Sequence, residues 1–223
     1  MAVDRVPDGP SPPFGIVLAG GRSSRFGRDK LAELIDGEPL LWRPIRALAD
    51  AGCVEVAVVV SPAGVAPDPP GGVGSRIRLV RDAEAFGGPL SGVRSGLAIV
   101  TAVAGDATVL VVGGDQPSLA PAVLRDLATQ VGPGRWAVAL ADRTGRMRPL
   151  PMAVAARPAL SAATALLDEG ERRLRALATT LAAGVVPFEA WIRLDPTGST
   201  LADVDLQEDL PDRGRVGIPT PPT

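Results

Sequence analysis

Phe14-Gly15-Ile16-Val17-Leu18-Ala19-Gly20-Gly21-Arg22-Ser23-Ser24-Arg25-Phe26-Gly27-Arg28-Asp29-Lys30 decides how the rest of the chain is read. Its first part, Phe14 to Leu18, is a short apolar run closed by glycines, the pattern of a strand buried on both faces of a parallel sheet. Gly20 and Gly21 follow at once. Without a Cβ they allow positive φ and let backbone N–H groups approach a phosphate closely. Arg25 and Lys30 add positive charge to the same loop, and charge-assisted contacts to phosphate are strong. The string contains neither Gly-x-x-x-x-Gly-Lys-Ser/Thr nor Gly-x-Gly-x-x-Gly, so it is not a Walker A loop or a dinucleotide fingerprint.

Outward from this loop, apolar runs and helical stripes alternate. Leu40 to Ala51 has helical spacing, and Gly52 closes it. Val54 to Val60 reads as a β-branched strand, Gly64 to Gly74 as a loop, and Ile77 to Val80 as a strand. Leu90, Val93, Leu97 and Val100 form a helical stripe, followed by a strand over Thr108 to Val112. A further helix begins at Pro121. Trp136 to Leu140 and Pro151 to Ala155 read as strands. Helices are expected over Pro158 to Asp168 and Glu171 to Ala183, with Gly184 ending the second and a late strand over Val185 to Phe188. Such alternation predicts an α/β fold: a single Rossmann-like three-layer domain with a mostly parallel sheet. Its ligands would sit beyond the C-terminal ends of the strands. Met1 to Pro13 and Pro211 to Thr223 each hold four prolines and read as flexible tails around a domain spanning 14–210.

Composition narrows the chemistry. The 223 residues carry a net charge of −2, which provides no global field to attract nucleic acid. Neither a signal peptide nor a membrane span is expected, and a single cysteine, Cys53, suits a reducing, cytoplasmic setting. There is no histidine, which excludes His-dependent triads and His-ligated zinc and leaves Cys53 without an activating base. Every one of the 23 basic residues is arginine except Lys30. Lysine presents a compact point charge where arginine presents a planar fork, so a site that accepts only the former would keep its lysine.

A second strand end carries chemistry. Val109-Leu110-Val111-Val112-Gly113-Gly114-Asp115-Gln116-Pro117 is an apolar strand that delivers one carboxylate to its tip. Magnesium takes one or two carboxylates together with phosphate oxygens and water, and Asp115 stands where such a ligand is needed. The alternative is that Asp115 caps the helix near Pro121, from which it is rather far.

Taken whole, Leu18 to Lys30 resembles the Leu-Ala-Gly-Gly…Arg-Met-Gly…Asp-Lys signature of the MobA-like nucleotidyltransferases, and within them the molybdenum cofactor guanylyltransferase type. Phe26 stands in place of the usual methionine. The resemblance extends to Arg81-Asp82, to Gly87-Gly88-Pro89-Leu90-Ser91-Gly92, to Gly113 through Pro117, to Gly170-Glu171-Arg172-Arg173 and to Asp203 through Leu210. It implies a nucleotide-diphospho-sugar transferase type of fold. It further implies that Leu18, Ala19 and Gly20 contact the nucleotide through their backbones, that Lys30 binds the phosphates and stabilises departing pyrophosphate, and that Arg25 either assists or serves a cap or ion pair. By the same resemblance, Asp82 binds the nucleotide or only forms a turn, and Asp115 binds magnesium and nucleotide. Asp205 takes an asparagine position; it would complete a magnesium site directly or through water, or cap a short helix, or both. The Gly-Glu-Arg-Arg segment would shape the acceptor side or be a solvated helix face. Arg148-Pro149 occupies a stretch where the family often has His-Pro, which leaves the acceptor pocket open.

The implied reaction is magnesium-dependent transfer of GMP from GTP to molybdenum-carrying molybdopterin, with pyrophosphate released. Molybdoenzymes or their chaperones would be transient partners; nucleic acid and membrane would not. Three alternatives stand beside it: a cytidylyltransferase for the same cofactor, a guanylyltransferase for a small phosphorylated acid, and a non-catalytic GTP-binding protein of the same fold.

Overall fold

A computed structural model of the protein describes residues 11–20, 30–66, 68, 72–73, 75–84 and 87–204. Gly21, Arg25 and Asp205 lie outside them, as do most of the first tail and the whole of the last.

Strand β1 is Phe14–Leu18, with Ile16 and Val17 fully buried, as its apolar run predicts. A 3₁₀ turn, Lys30–Ala32, leads into a small hairpin of β2 (Leu34–Ile35) and β3 (Glu38–Pro39). Helix α1 (Trp42–Asp50) follows, and Gly52 ends it at φ 97°. Next come β4 (Glu55–Val60), β5 (Arg76–Arg81), helix α2 (Gly88–Ala104), β6 (Thr108–Gly113) and helix α3 (Pro121–Thr129). The chain continues through β7 (Ala137–Ala141), β8 (Met147–Ala155), α4 (Ala156–Asp168), α5 (Leu174–Thr180), β9 (Gly184–Val186) and the short α6 (Phe188–Trp191). A final 3₁₀ turn spans Ser199–Leu201.

The sheet has seven strands in the order β5-β4-β1-β6-β8-β7-β9. All pairings are parallel except those of β8, which runs against both β6 and β7. Period-2 alternation divides β4 between two cores. Val56, Val58 and Val60 join Ile45, Leu48 and Leu124 on the α1–α3 face; Ala57 and Val59 join Leu90, Val93 and Leu97 on the α2 face. The result is three layers, helix on sheet on helix. Gly96 of α2 faces Ile16 of β1 so closely that an added Cβ would lie 2.8 Å from Cδ1. This glycine brings the helix down onto the central strand. Among the described residues no helix is long and apolar enough to cross a membrane.

Three expectations need correction. The strand expected at Pro151 to Ala155 begins four residues earlier, at Met147. Gly184 does not end a helix: α5 stops at Thr180, Ala182 takes the positive φ (47°), and Gly184 opens β9. Phe188, expected in the late strand, begins α6 instead. Cys53 is buried, and desolvation pushes its thiol up to about 12, so it stays protonated and inert.

Chain direction reverses at β1: the path runs outward through β4 and β5, then returns to β6 on the other side. A crevice opens at such a switch point, outside the C-terminal ends of the strands. The C-terminal ends of β1, β4 and β6 lie side by side there.

Candidate active site

The β1 tip is stitched to both neighbours. Ala19 N–H donates to Val59 O at 2.8 Å, and Leu18 O accepts Gly114 N–H at 3.0 Å. Gly20 passes Ser61 closely enough that a Cβ would meet its backbone N at 3.3 Å. At the β6 tip both glycines have a steric reason. A Cβ on Gly113 would lie 2.6 Å from Asp115 Oδ1, and one on Gly114 would lie 3.0 Å from Leu18 O. The buried Gln116 closes the turn, its Oε1 accepting Gly113 N–H at 2.8 Å. Asp115 is thereby fixed at the end of a rigid strand.

Lys30 comes to the same point from the start of the 3₁₀ turn. Its Nζ donates to Asp115 Oδ2 at 2.8 Å and to Val204 O at 2.9 Å. Val204 N–H in turn donates to Asp115 O at 2.9 Å. Val204 is buried with Ile35 and Leu40, so the β2–β3 hairpin holds the late segment in place. Behind the loop, buried Asp195 accepts from Thr197 Oγ1 and from the N–H and Oγ1 of Thr200, while Thr200 Oγ1 accepts Ala120 N–H at 3.1 Å. Burial alone would raise the Asp195 pKa, but these donors outweigh it and hold the carboxyl below its usual range. Thr200 Oγ1 thereby also anchors Ala120, the N-cap of α3.

On the opposite flank of β1, a cavity of about 310 Å³ lies against Leu18, Gly20, Ser61, Asp82, Gly88 and Gly92. Asp82 follows β5, and its N–H pairs with Val60 O at 2.8 Å. Its Oδ1 accepts Ser91 Oγ at 2.8 Å and Ser95 Oγ at 2.9 Å, both from α2. Glu84 also borders the cavity and lies 3.6 Å from the Arg94 guanidinium. Gly88, at φ 77°, lets the backbone of Arg172 approach, and Arg172 O accepts Leu90 N–H at 3.3 Å. The Gly-Glu-Arg-Arg segment thus closes the N-terminal end of α2 with its backbone. The Arg172 side chain turns back to Leu167 O and Glu171 O, and Arg173 pairs with Glu171, holding that carboxyl down at about 2. Arg148 stands at the end of β8 nearest the β6 tip, 4.0 Å from Asp203.

Of the residues singled out from sequence, Leu18, Gly20 and Asp82 line the cavity, Lys30 and Asp115 meet each other at the β6 tip, and Ala19 pairs with β4 between them. Gly21, Arg25 and Asp205 fall outside the described residues. Missed were the Val204 carbonyl on Lys30 and the two serines on Asp82. The former contact spans 174 positions and leaves no local signal. Ser91 and Ser95 do carry one, their i, i+4 spacing on one helix face.

A magnesium ion suits this donor set. Asp115 offers hard carboxylate oxygen, and Lys30 occupies only Oδ2 among the described contacts. No group of three or more metal-type side chains occurs among the described residues.

Comparisons with known proteins place the chain in a family. Residues 15–184 match the model of the MobA-like NTP transferase domain. A probable molybdenum cofactor guanylyltransferase from Chloroflexus aggregans is 36% identical over 199 residues, covering 88% of this chain and 90% of that one. One from Opitutus terrae is 33% identical over 167 residues, covering 75% and 78%. Among solved structures, molybdopterin-guanine dinucleotide biosynthesis protein A from Archaeoglobus fulgidus superposes with a TM-score of 0.66 at 17% identity, covering 88% of this chain and 94% of that one. A nucleotidyl transferase from Methanothermobacter thermautotroptrophicus gives 0.64 at 22% identity, covering 89% and 94%. These two structures share the fold. The chain belongs to the MobA-like NTP transferase domain family and is a nucleotidyltransferase.

Proposed function

We propose that the protein transfers GMP from GTP to molybdenum-carrying molybdopterin. The observation that carries this reading is the meeting of Lys30 and Asp115 at the β1–β6 switch point, beside a cavity large enough for a nucleoside. The names of the relatives supply the base and the acceptor.

In the reaction, an oxygen of the acceptor's terminal phosphate forms a bond to the α-phosphorus of GTP. The α–β bridging P–O bond breaks, and pyrophosphate leaves with its electron pair. Two anions must be brought together, so positioning and charge neutralisation dominate. An ammonium has three N–H donors; among the described residues Asp115 and Val204 take two in Lys30, which leaves the third for a phosphate oxygen. Lys30 can therefore hold the leaving phosphates without releasing its partners. Asp115, with Asp205 as a second candidate, would hold magnesium, which would polarise the phosphate oxygens. The tip amides at Leu18 to Gly20 and the N-terminal end of α2 would line the nucleotide's path. No protein nucleophile is needed, in keeping with a chain lacking histidine and with a protonated Cys53.

The test is pyrophosphate release from each of GTP, CTP, ATP and UTP, with magnesium and with or without molybdenum cofactor. Release from GTP that depends on the cofactor is expected. Preference for CTP would replace the base assignment, and binding without release would favour a non-catalytic GTP-binding protein.

A further inference from the structure

Ser91 and Ser95 lie one turn apart on α2 and send both hydroxyls to the same atom, Asp82 Oδ1. Serine in a helix interior commonly bonds to its own helix backbone or to solvent. Here both hydroxyls leave the helix for a carboxylate at the end of β5. Alanine at either position would favour the helix more, so the serines cost helical stability for this contact. Ser91 is fully buried, with Asp82 as its partner.

The consequence is an oriented carboxylate. Two hydroxyl donors at 2.8 and 2.9 Å hold Oδ1, with Glu84 N–H as a longer third contact at 3.5 Å, and no hydrogen bond among the described residues reaches Oδ2. The other oxygen lies over Gly92: a Cβ built there would be 4.0 Å from Oδ2. Gly92 and Asp82 both border the cavity. Oδ2 thus lies on the Gly92 side of the carboxylate, beside that cavity. We infer that Ser91 and Ser95 are positioning residues, which hold Asp82 so that Oδ2 accepts an N–H or O–H from the nucleoside half of the bound nucleotide. This rests on the nucleotide-binding reading of the same crevice.

The test is calorimetric binding of GTP with magnesium to the full chain, alongside steady-state kinetics. The double variant Ser91→Ala/Ser95→Ala should weaken GTP roughly tenfold, the scale of one charge-assisted hydrogen bond. KM for GTP should rise while kcat stays within about twofold, since ground-state and transition-state binding fall together. Ser95→Thr, which keeps the hydroxyl, should bind nearly as wild type does. In an Asp82→Ala background, removing the serines should change nothing further, because they act through that carboxylate. A serine penalty that persists undiminished in that background would show an effect on the fold and overturn the inference. So would unchanged GTP affinity in the double variant while wild type binds normally. Failure of wild type to bind GTP would instead overturn the reading of the crevice, and this inference with it.

Discussion

The two flanks of the β1 tip solve different problems. On the β6 flank, a cation and an anion meet directly: Lys30 on Asp115, with the Val204 carbonyl as a third member. On the β4–β5 flank, the Asp82 carboxylate is held by neutral hydroxyls beside a cavity that Glu84 also borders. The charged flank suits a phosphate chain and its counter-ion, where charge changes during reaction. The hydroxyl-held carboxylate on the other flank suits a nucleoside, where orientation matters and charge does not change. Their assembly differs too. The charged flank joins positions 85 and 174 apart in sequence, whereas the serine contacts join positions 9 and 13 apart.

If this division holds, substitutions on the two flanks should fail in different ways. The largest effect is expected from Asp115→Ala and Lys30→Ala, each lowering kcat for pyrophosphate release by about 100- to 1,000-fold, the scale of removing one preorganised electrostatic contact. Circular dichroism should show both still folded. Lys30→Arg sharpens the point. A planar guanidinium cannot reproduce the compact ammonium between Asp115 Oδ2 and Val204 O, so the rate should stay well below wild type. Wild-type turnover by this variant would make the sole lysine accidental.

Asp82→Asn, on the other flank, should act chiefly on KM for GTP, by roughly tenfold, since it removes binding shared by ground and transition states. A collapse of kcat with unchanged KM would break the division between flanks. Gly114→Ala tests the seam between them. Its Cβ would lie 3.0 Å from Leu18 O, a backbone atom with little room to move, and a loss of about 1–3 kcal/mol in stability is expected by denaturant unfolding. An unchanged midpoint would show that the β1 and β6 tips are not rigidly joined.

The smallest effect concerns Cys53, remote from both flanks. With its pKa raised to about 12 by burial, the folded state favours the neutral thiol. That contribution is present in full below the ordinary value of 9.0 and is lost as pH rises toward 12. Native protein near pH 8 should resist thiol reagents and keep its activity. Rapid labelling with loss of activity would place Cys53 nearer the chemistry than its burial implies.

Much of this was legible before any coordinates. The run Phe14–Leu18 has the same bounds in sequence and structure because five apolar residues flanked by turn signals have few other places to go. Thr108 through Asp115 was equally plain, since an apolar strand that ends on a carboxylate points it at the crevice. Strand β8 was harder. Its first half contains Pro149 and Pro151, which lack the N–H a ladder needs, and the β7 register slips there between Ala139 and Leu140. Ala182 hid a helix end because positive φ is usually assigned to glycine. In the site, residue types at strand ends were readable, but their pairing was not. Nothing in the sequence tells that Lys30 rests on Asp115, because the contact exists only once β1, β6 and the late segment share a crevice.

The most direct measurement follows the α-phosphate. GTP labelled at the α position, and separately at the γ position, is incubated with magnesium, molybdenum-carrying molybdopterin and either wild type or Asp115→Ala. The account predicts α-label in a guanine dinucleotide product, γ-label in pyrophosphate, and neither product above background for Asp115→Ala. Release of γ-label as inorganic phosphate without α-label transfer, or full transfer by Asp115→Ala, would contradict it.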